Sequence, residues 1–190
     1  SPAIKMKKPL FLEKKKGLTA AEAGTVMHFV MQHLDFRQDN IEEQISEMVK
    51  QDLLTPEQAQ SVDPKKIRYF LASPLGKRML KSEIINREVP FNIEIPCHEV
   101  YSELGAECYQ GETVLLQGII DCYFEETDGI VLVDYKTDRL AEGWKETIRN
   151  RYEVQISYYA RALEMLTGKP VKEKYIYLFT NGEVVELKGI

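Results

Sequence analysis

Two acidic residues and a lysine lie on two short apolar segments that are separated by a turn. Asp121 ends the first segment, Asp134 and Lys136 lie in the second, and the turn dipeptide Asp128-Gly129 lies between them. Alternate residues of a strand share a face, so Asp134 and Lys136 are predicted to lie together beside Asp121. Two acids that hold Mg²⁺, with a lysine that orients or deprotonates the nucleophile, suit hydrolysis of a phosphodiester.

The segments that position these residues change character along the chain. Residues 17–83 carry repeated helix-start signals, beginning with the capping box Thr19 to Glu22, and are predicted to be mainly helical. Residues 84–190 are predicted to form a sheet core that also contains a helix from about Tyr152 to Leu166. This order fits one domain of α/β or α+β class over residues 1–190, with a mixed central sheet flanked by helices.

Individual elements can be placed from the pattern of apolar residues. The predicted strands are 89–95, 113–124, 130–137, 173–180 and 183–188, and the last two form a hairpin across Asn181-Gly182. Residues 97–112 are predicted to be a strand end followed by a loop, and 144–148 a separate short helix. In the first helix, Met27, His28 and Met31 lie off the main apolar stripe, so this side is expected to face a cleft.

Several motifs follow one another in a characteristic order. They are the segment Gly24 to His28, the strand that ends at Asp121, the Asp-x-Lys of the next strand, and the helical pair Gln155 and Tyr159 in a Q-x-x-x-Y spacing. In this order they resemble the PD-(D/E)xK nuclease superfamily. The chain looks most like the RecB-type nuclease domain at the C-terminus of the bacterial recombination helicase-nucleases AddA and RecB. The resemblance runs from about residue 9 to residue 179 and implies a restriction-endonuclease-like sheet flanked by helices.

The resemblance also implies roles for particular residues. His28, Asp121 and Asp134 are expected to be metal ligands, and Asp121, Asp134 and Lys136 to be catalytic. The backbone carbonyl of Tyr135 is a further expected ligand, because this residue lies between Asp134 and Lys136. Two carboxylates and an imidazole suit a hard cation such as Mg²⁺, and the imidazole suits Mn²⁺ rather better.

Three other residues are candidates for supporting the site. The resemblance places Gln155 and Tyr159 beside the active site, where they contact the DNA backbone or position Lys136. Glu88 precedes an alternating strand and could reach the metal through water. Its alternative is equally open, namely a solvated acid at the edge of a strand.

Composition limits the function classes further. The chain has 25 basic and 30 acidic residues and a net charge of −5, which argues against a free-standing electrostatic grip on DNA. Its three cysteines cannot hold an iron–sulfur cluster by themselves. No apolar run is long enough for a membrane span, so the cytoplasm is the expected compartment and no membrane partner is expected. The basic residues 1–16 are interpreted as an arm or linker from a preceding helicase region.

The resulting hypothesis is a metal-dependent deoxyribonuclease domain that cuts single-stranded DNA delivered by a helicase during double-strand-break repair and recombination. The resemblance implies two partners, a helicase region in the same polypeptide and a second helicase-nuclease chain that is AddB-like. Two alternatives stay open. One is a free-standing nuclease of the Cas4 or phage-exonuclease kind, and the other is a non-catalytic DNA-binding or docking module with the same fold.

Overall fold

In the computed structural model the chain is described over residues 17–100 and 111–188. The predicted basic arm at residues 1–16 and most of the predicted loop at 97–112 lie outside these ranges. Five helices precede the sheet: α1 Ala20–His33, α2 Ile41–Lys50, α3 Pro56–Gln60, α4 Pro64–Ala72 and α5 Pro74–Lys81. The remaining elements are β1 Ile85–Pro96, α6 Cys97–Val100, β2 Thr113–Glu126, β3 Gly129–Lys136, α7 Trp144–Thr167, β4 Val171–Leu178 and β5 Glu183–Glu186.

Helix starts follow the signals in the sequence. Thr19 and Glu22 form a reciprocal capping box at α1, and Thr55 and Gln58 form another at α3. The helices α3, α4 and α5 each have proline in their first turn, where its missing N–H group costs nothing.

The five strands form one sheet in chain order, and this confirms the predicted mixed α/β architecture. Pairing is antiparallel except between β3 and β4, which are parallel and joined by the crossover helix α7. Because β3 and β4 are parallel, their carboxyl ends lie at the same end of the sheet. The side chains at this end of β3 are Asp134 and Lys136.

The sheet separates two apolar layers. On one face, Val131, Val133 and Tyr135 of β3 pack under α1 to α5. On the other face, Ile130 and Leu132 pack against α7. The predicted alternation along β3 is therefore confirmed, because it carries Asp134 and Lys136 to the same face as Ile130 and Leu132.

Three local expectations were wrong. Met27 and Met31 are buried in the core and do not face a cleft, because α1 is enclosed by the sheet and the neighbouring helices. The segment 144–148 is not a separate helix, since α7 is continuous from Trp144 to Thr167. Residues Cys97–Val100 form one helical turn where a strand end was expected. No helix in the described ranges has the length and apolar character needed to cross a membrane.

Candidate active site

His28 reaches the sheet from α1, which lies close against the end of β3. A Cβ atom on Gly24 would lie 2.8 Å from Thr137 Oγ1, so glycine permits this approach. His28 Nδ1 lies 2.9 Å from the carbonyl of Gly24, and a carbonyl can only accept, so Nδ1 is the protonated donor. The other ring nitrogen, Nε2, lies 3.1 Å from Asp121 Oδ2 and 2.9 Å from the carbonyl oxygen of Tyr135.

Asp121 occupies the point where β2 and β3 separate. The ladder between these strands runs from Glu126–Gly129 only as far as Cys122–Val133. Beyond it, the N–H of Tyr135 donates to Asp121 Oδ2 at 2.8 Å, so this side chain takes the place of a backbone acceptor. The carboxylate is thereby fixed between β3 and His28.

Asp134 and Lys136 form a buried ion pair at the same end of β3. Asp134 is only 2% exposed, and Lys136 Nζ lies 2.8 Å from its Oδ2. The ammonium lies at hydrogen-bond distance and neutralises the buried carboxylate. Without such a partner a carboxylate buried to this degree would be costly.

The electrostatics of these groups are coupled. Burial, followed by the negative charge of Asp121, raises the pKa of Asp134 to about 6 against the opposing charge of Lys136. Burial alone would lower the pKa of His28, but its hydrogen bond with Asp121 and the charges of both aspartates raise it to about 9. Burial likewise opposes protonation of Lys136, yet the carboxylate of Asp134 outweighs it and raises the pKa of the lysine.

Glu88 lies on β1 beside the same cluster, in a strained backbone conformation. Its φ is +50°, and the β1–β2 register skips it, pairing Arg87 with Cys122 and Val89 with Ile120. The residue that would oppose it is Asp121. Burial and the charge of Asp121 both raise the pKa of Glu88, which means that the two carboxylates interact. A solvated acid at an ordinary strand edge would show neither feature.

Gln155 and Tyr159 lie together on α7, facing β1 and β2. Gln155 Nε2 donates to Tyr159 Oη at 2.9 Å, and the Tyr159 ring makes an edge contact with Phe91 at a centroid distance of 5.4 Å. Gly118 makes room for this contact, since a Cβ atom there would lie 2.7 Å from the Phe91 ring. Burial raises the pKa of Tyr159, and so does the charge of Asp134, so the phenol is within electrostatic range of the ion pair.

Two residues that sequence reasoning missed complete the surroundings of Lys136. Its ammonium lies 4.3 Å from the centre of the Tyr152 ring, a cation–π contact. The Tyr152 hydroxyl donates to the carboxylate of Asp138 at 2.9 Å, and Arg151 pairs with the same carboxylate at 2.7 Å. A signal existed in the sequence, because Asp138 continues the Asp134–Lys136 alternation and Tyr152 lies one helical turn before Gln155.

A cation would satisfy the contacts that the protein leaves unsatisfied. Among the described residues, no three His, Cys, Asp or Glu side chains converge closely enough to form a metal site by themselves. Three atoms that could bind a metal converge instead, and one of them is a backbone oxygen. They are His28 Nε2, Asp121 Oδ2 and the carbonyl oxygen of Tyr135. With Nδ1 protonated, Nε2 is itself an acceptor and has two acceptor oxygens within 3.1 Å, an arrangement that needs either a second proton on the imidazole or a metal ion.

Comparison with known proteins agrees with this chemistry. Residues 5–188 match the family model described as the PD-(D/E)XK nuclease superfamily. The chain is 70% identical over 96% of its length to an ATP-dependent helicase/nuclease subunit of Acetivibrio thermocellus. It is 58% identical to the protein of the same name from Ruminiclostridium cellulolyticum and 51% identical to that from Clostridium novyi, again over 96% of its length. It spans only 14–15% of the length of these relatives.

Proposed function

Because the chain belongs to the PD-(D/E)XK nuclease superfamily and is a nuclease domain, we propose that it hydrolyses phosphodiester bonds in single-stranded DNA with a divalent metal ion. The proposed metal is Mg²⁺ or Mn²⁺. The proposed context is double-strand-break repair and recombination, where a helicase region of the same polypeptide supplies the strand.

One observation carries the catalytic part of this proposal. The ring nitrogen of His28, the carboxylate of Asp121 and the carbonyl of Tyr135 converge, and the buried carboxylate of Asp134, one residue before Tyr135, is close enough to interact electrostatically with Asp121 and His28. These four groups are proposed to hold the metal, because a carboxylate, an imidazole and a carbonyl are a suitable donor set for Mg²⁺ or Mn²⁺. When bound, the cation supplies positive charge at the scissile phosphate and promotes ionisation of water.

Lys136 is proposed to act as a cation and hydrogen-bond donor. Its raised pKa keeps it protonated at neutral pH, so it is better suited to orienting the nucleophile or the phosphate than to removing a proton. Asp134 and the Tyr152 ring hold the ammonium from two sides. Glu88, Gln155 and Tyr159 are proposed to support the site or contact the DNA backbone.

The wider context is proposed from the relatives and from charge. Their names describe helicase/nuclease subunits, and this chain covers about a seventh of their length. A domain with a net charge of −5 has little general attraction for DNA, so delivery by a tethered motor would raise the effective concentration of its substrate. A cytoplasmic location and a second, AddB-like partner chain belong to the same proposal.

The test is digestion of labelled single-stranded DNA with and without Mg²⁺ or Mn²⁺. The wild-type protein is compared with Asp134→Asn, and with Asp128→Asn, an exposed aspartate at the opposite end of β3. We expect metal-dependent cleavage that Asp134→Asn lowers by about 10²-fold or more, while Asp128→Asn leaves it unchanged. Circular dichroism checks that both variants are folded. Equal cleavage by all three proteins would contradict the proposed site, and no cleavage by the wild type would contradict the function.

A further inference from the structure

An exposed tyrosine and two lysines lie on α4, outside the site described above. We call the region formed by Lys65, Lys66, Tyr69 and the turn at residues 180–182 the Tyr69 surface. It contains a depression of about 290 Å³, and Tyr69 separates this from a second depression of about 580 Å³. Tyr177 and Gly182 line both, so the tyrosine ring forms a ridge between two hollows.

The Tyr69 ring lies against the turn between β4 and β5. It is 63% exposed, which is unusual for a large aromatic side chain within a folded domain. Gly182 has a φ of +73°, and a Cβ atom there would lie only 2.5 Å from Tyr69 Cε1. Glycine therefore serves two purposes at this position: it adopts the turn conformation and it allows the ring to lie against the backbone. The ring therefore contacts the turn while much of it stays accessible.

The charge beside this ring is positive and uncompensated. Lys65 and Lys66 are exposed, and within the described part of the chain neither makes an ion pair. The nearby Asp63 is engaged as the N-cap of α4, where it accepts from Lys65 N at 3.0 Å. Arg68 differs from the two lysines, because Asp39 and Glu42 neutralise it. Among the residues that the structure describes, Lys65 and Lys66 are a pair of adjacent cations without an ion-pair partner in a chain of net charge −5.

The Tyr69 surface lies at the same end of the sheet as the candidate active site. Phe179 lines its depression and donates its N–H to the carbonyl of Lys136 at 3.0 Å. Thr180 lines the same depression and donates its hydroxyl to the carbonyl of Asp138 at 2.6 Å. These two bonds place residues 179 and 180 directly beside the end of β3 that carries the ion pair.

We propose that the Tyr69 surface binds single-stranded DNA that runs to or from the active site, with a base stacked on Tyr69 and phosphates near Lys65 and Lys66. An accessible aromatic face beside cations is the combination that binds unpaired nucleic acid, since every base has a face to stack and every linkage has a charge. Duplex bases are already stacked and would gain nothing from the ring. The inference rests on the proposed function, because it supplies a path for the strand that the site cuts.

The decisive measurement is binding rather than cleavage. The affinity of the full 190-residue chain for a fluorescent oligothymidylate of about 12 nucleotides is measured by anisotropy in EDTA, where no metal-dependent cutting occurs. The variants are Tyr69→Leu, Tyr69→Phe, Lys65→Glu and Lys66→Glu. The matched control is Lys81→Glu, an exposed lysine in a separate depression near Glu125 and Asp128, at the opposite end of β3.

Tyr69→Leu keeps an apolar group on Gly182 and is expected to weaken binding about tenfold, whereas Tyr69→Phe retains the affinity. Lys65→Glu and Lys66→Glu are each expected to weaken binding several-fold and to reduce the slope of log affinity against log salt concentration by about 0.7. Lys81→Glu is expected to change neither the affinity nor the slope.

The inference would be overturned if the wild type, Tyr69→Leu and both lysine variants bound DNA with equal affinity. It would also be overturned if the wild type showed no measurable binding. Either result would leave the proposed nuclease function standing. If the wild type binds DNA but does not cleave it, that result counts against the proposed function and not against this surface. Cross-linking of an oligonucleotide containing 5-iodouracil gives an independent reading. Tyr69 must be among the labelled residues, and labelling confined to other surfaces would contradict the proposal.

Discussion

A proton is expected to take the place of the metal ion in the metal-free protein, and raising the pH should therefore destabilise it. The folded protein holds the second imidazole proton of His28 until about pH 9, whereas the unfolded chain releases it near pH 6.5. Between these values the folded state binds more protons, so its stability is full below pH 6.5 and is lost as the pH rises to about 9. At ~1.4 kcal/mol per pH unit, the total loss is about 3 kcal/mol at most.

Two features of the structure define the useful range. The His28 side chain keeps 28% of its exposure, so solvent screening makes about 3 kcal/mol an upper value. Asp134 also has a raised pKa, and its contribution to the free energy of unfolding is likewise lost as the pH rises. Because this pKa is about 6, that loss is complete below pH 7. From pH 7 to 9 His28 is compared with a variant that lacks the imidazole, because the buried Cys122 thiol, whose pKa burial raises to about 12, adds its own smaller loss of stability near pH 9 to both proteins.

The assay is urea denaturation in EDTA at several pH values, for the wild type and for His28→Gln. The amide of glutamine can donate to Asp121 but does not titrate, so the variant should show a much smaller decline between pH 7 and 9. In the wild type, Mn²⁺ should stabilise the folded state, and its affinity should rise about tenfold per pH unit up to pH 9, because one proton must leave. Parallel stability curves for the two proteins, or metal affinity independent of pH, would refute this account of the site.

Three further substitutions test neighbouring parts of the structure. Glu88→Gly should raise the free energy of unfolding by about 1 kcal/mol, because glycine adopts φ +50° without strain, and denaturation at pH 7 shows whether it instead falls. Tyr152→Leu should lower kcat and shift the alkaline limb of the pH–rate profile, because Lys136 loses its cation–π contact. Tyr152→Phe keeps the ring and should largely preserve both kcat and the profile. Equal profiles for the two variants would exclude a role for the ring contact. Gly118→Ala should destabilise by about 1–3 kcal/mol, because its methyl group would overlap the Phe91 ring, and an unchanged melting temperature would show that the ring can move aside.

The parts of the fold that could be predicted are those with local causes. The hairpin at Asp128-Gly129 and the alternation of Asp134 and Lys136 were predicted because turn chemistry and strand period depend on neighbouring residues only. The separation predicted between a helix at 144–148 and one from about Tyr152 also rested on neighbouring residues only, and it was wrong. Local propensity weakens there, but packing of Ile148 and Ile156 in the layer beneath α7 keeps the helix continuous.

The rest of the site depends on contacts between distant segments. No local pattern reveals the φ of Glu88, because it results from a break in the β1–β2 register opposite Asp121. The contact of Tyr152 with Lys136 needs α7 to cross over the end of β3, and nothing in either segment specifies that crossing. Met27 and Met31 were misplaced since the stripe on an isolated helix cannot show that the helix is enclosed on several sides.

The position of the site follows from where a ladder of hydrogen bonds ends. Had β2 and β3 stayed paired beyond Cys122 and Val133, backbone partners from β2 would have satisfied Tyr135, and its carbonyl would not face His28. The strands separate instead, and Asp121 replaces the missing acceptor with a charged one. The fold thus leaves a gap lined by oxygen and nitrogen acceptors, which is unfavourable in a protein interior and favourable only when a proton or a cation enters it. Such a gap costs stability in the metal-free protein, and that cost is the reason its occupant should be measurable as a dependence of stability on both pH and metal concentration.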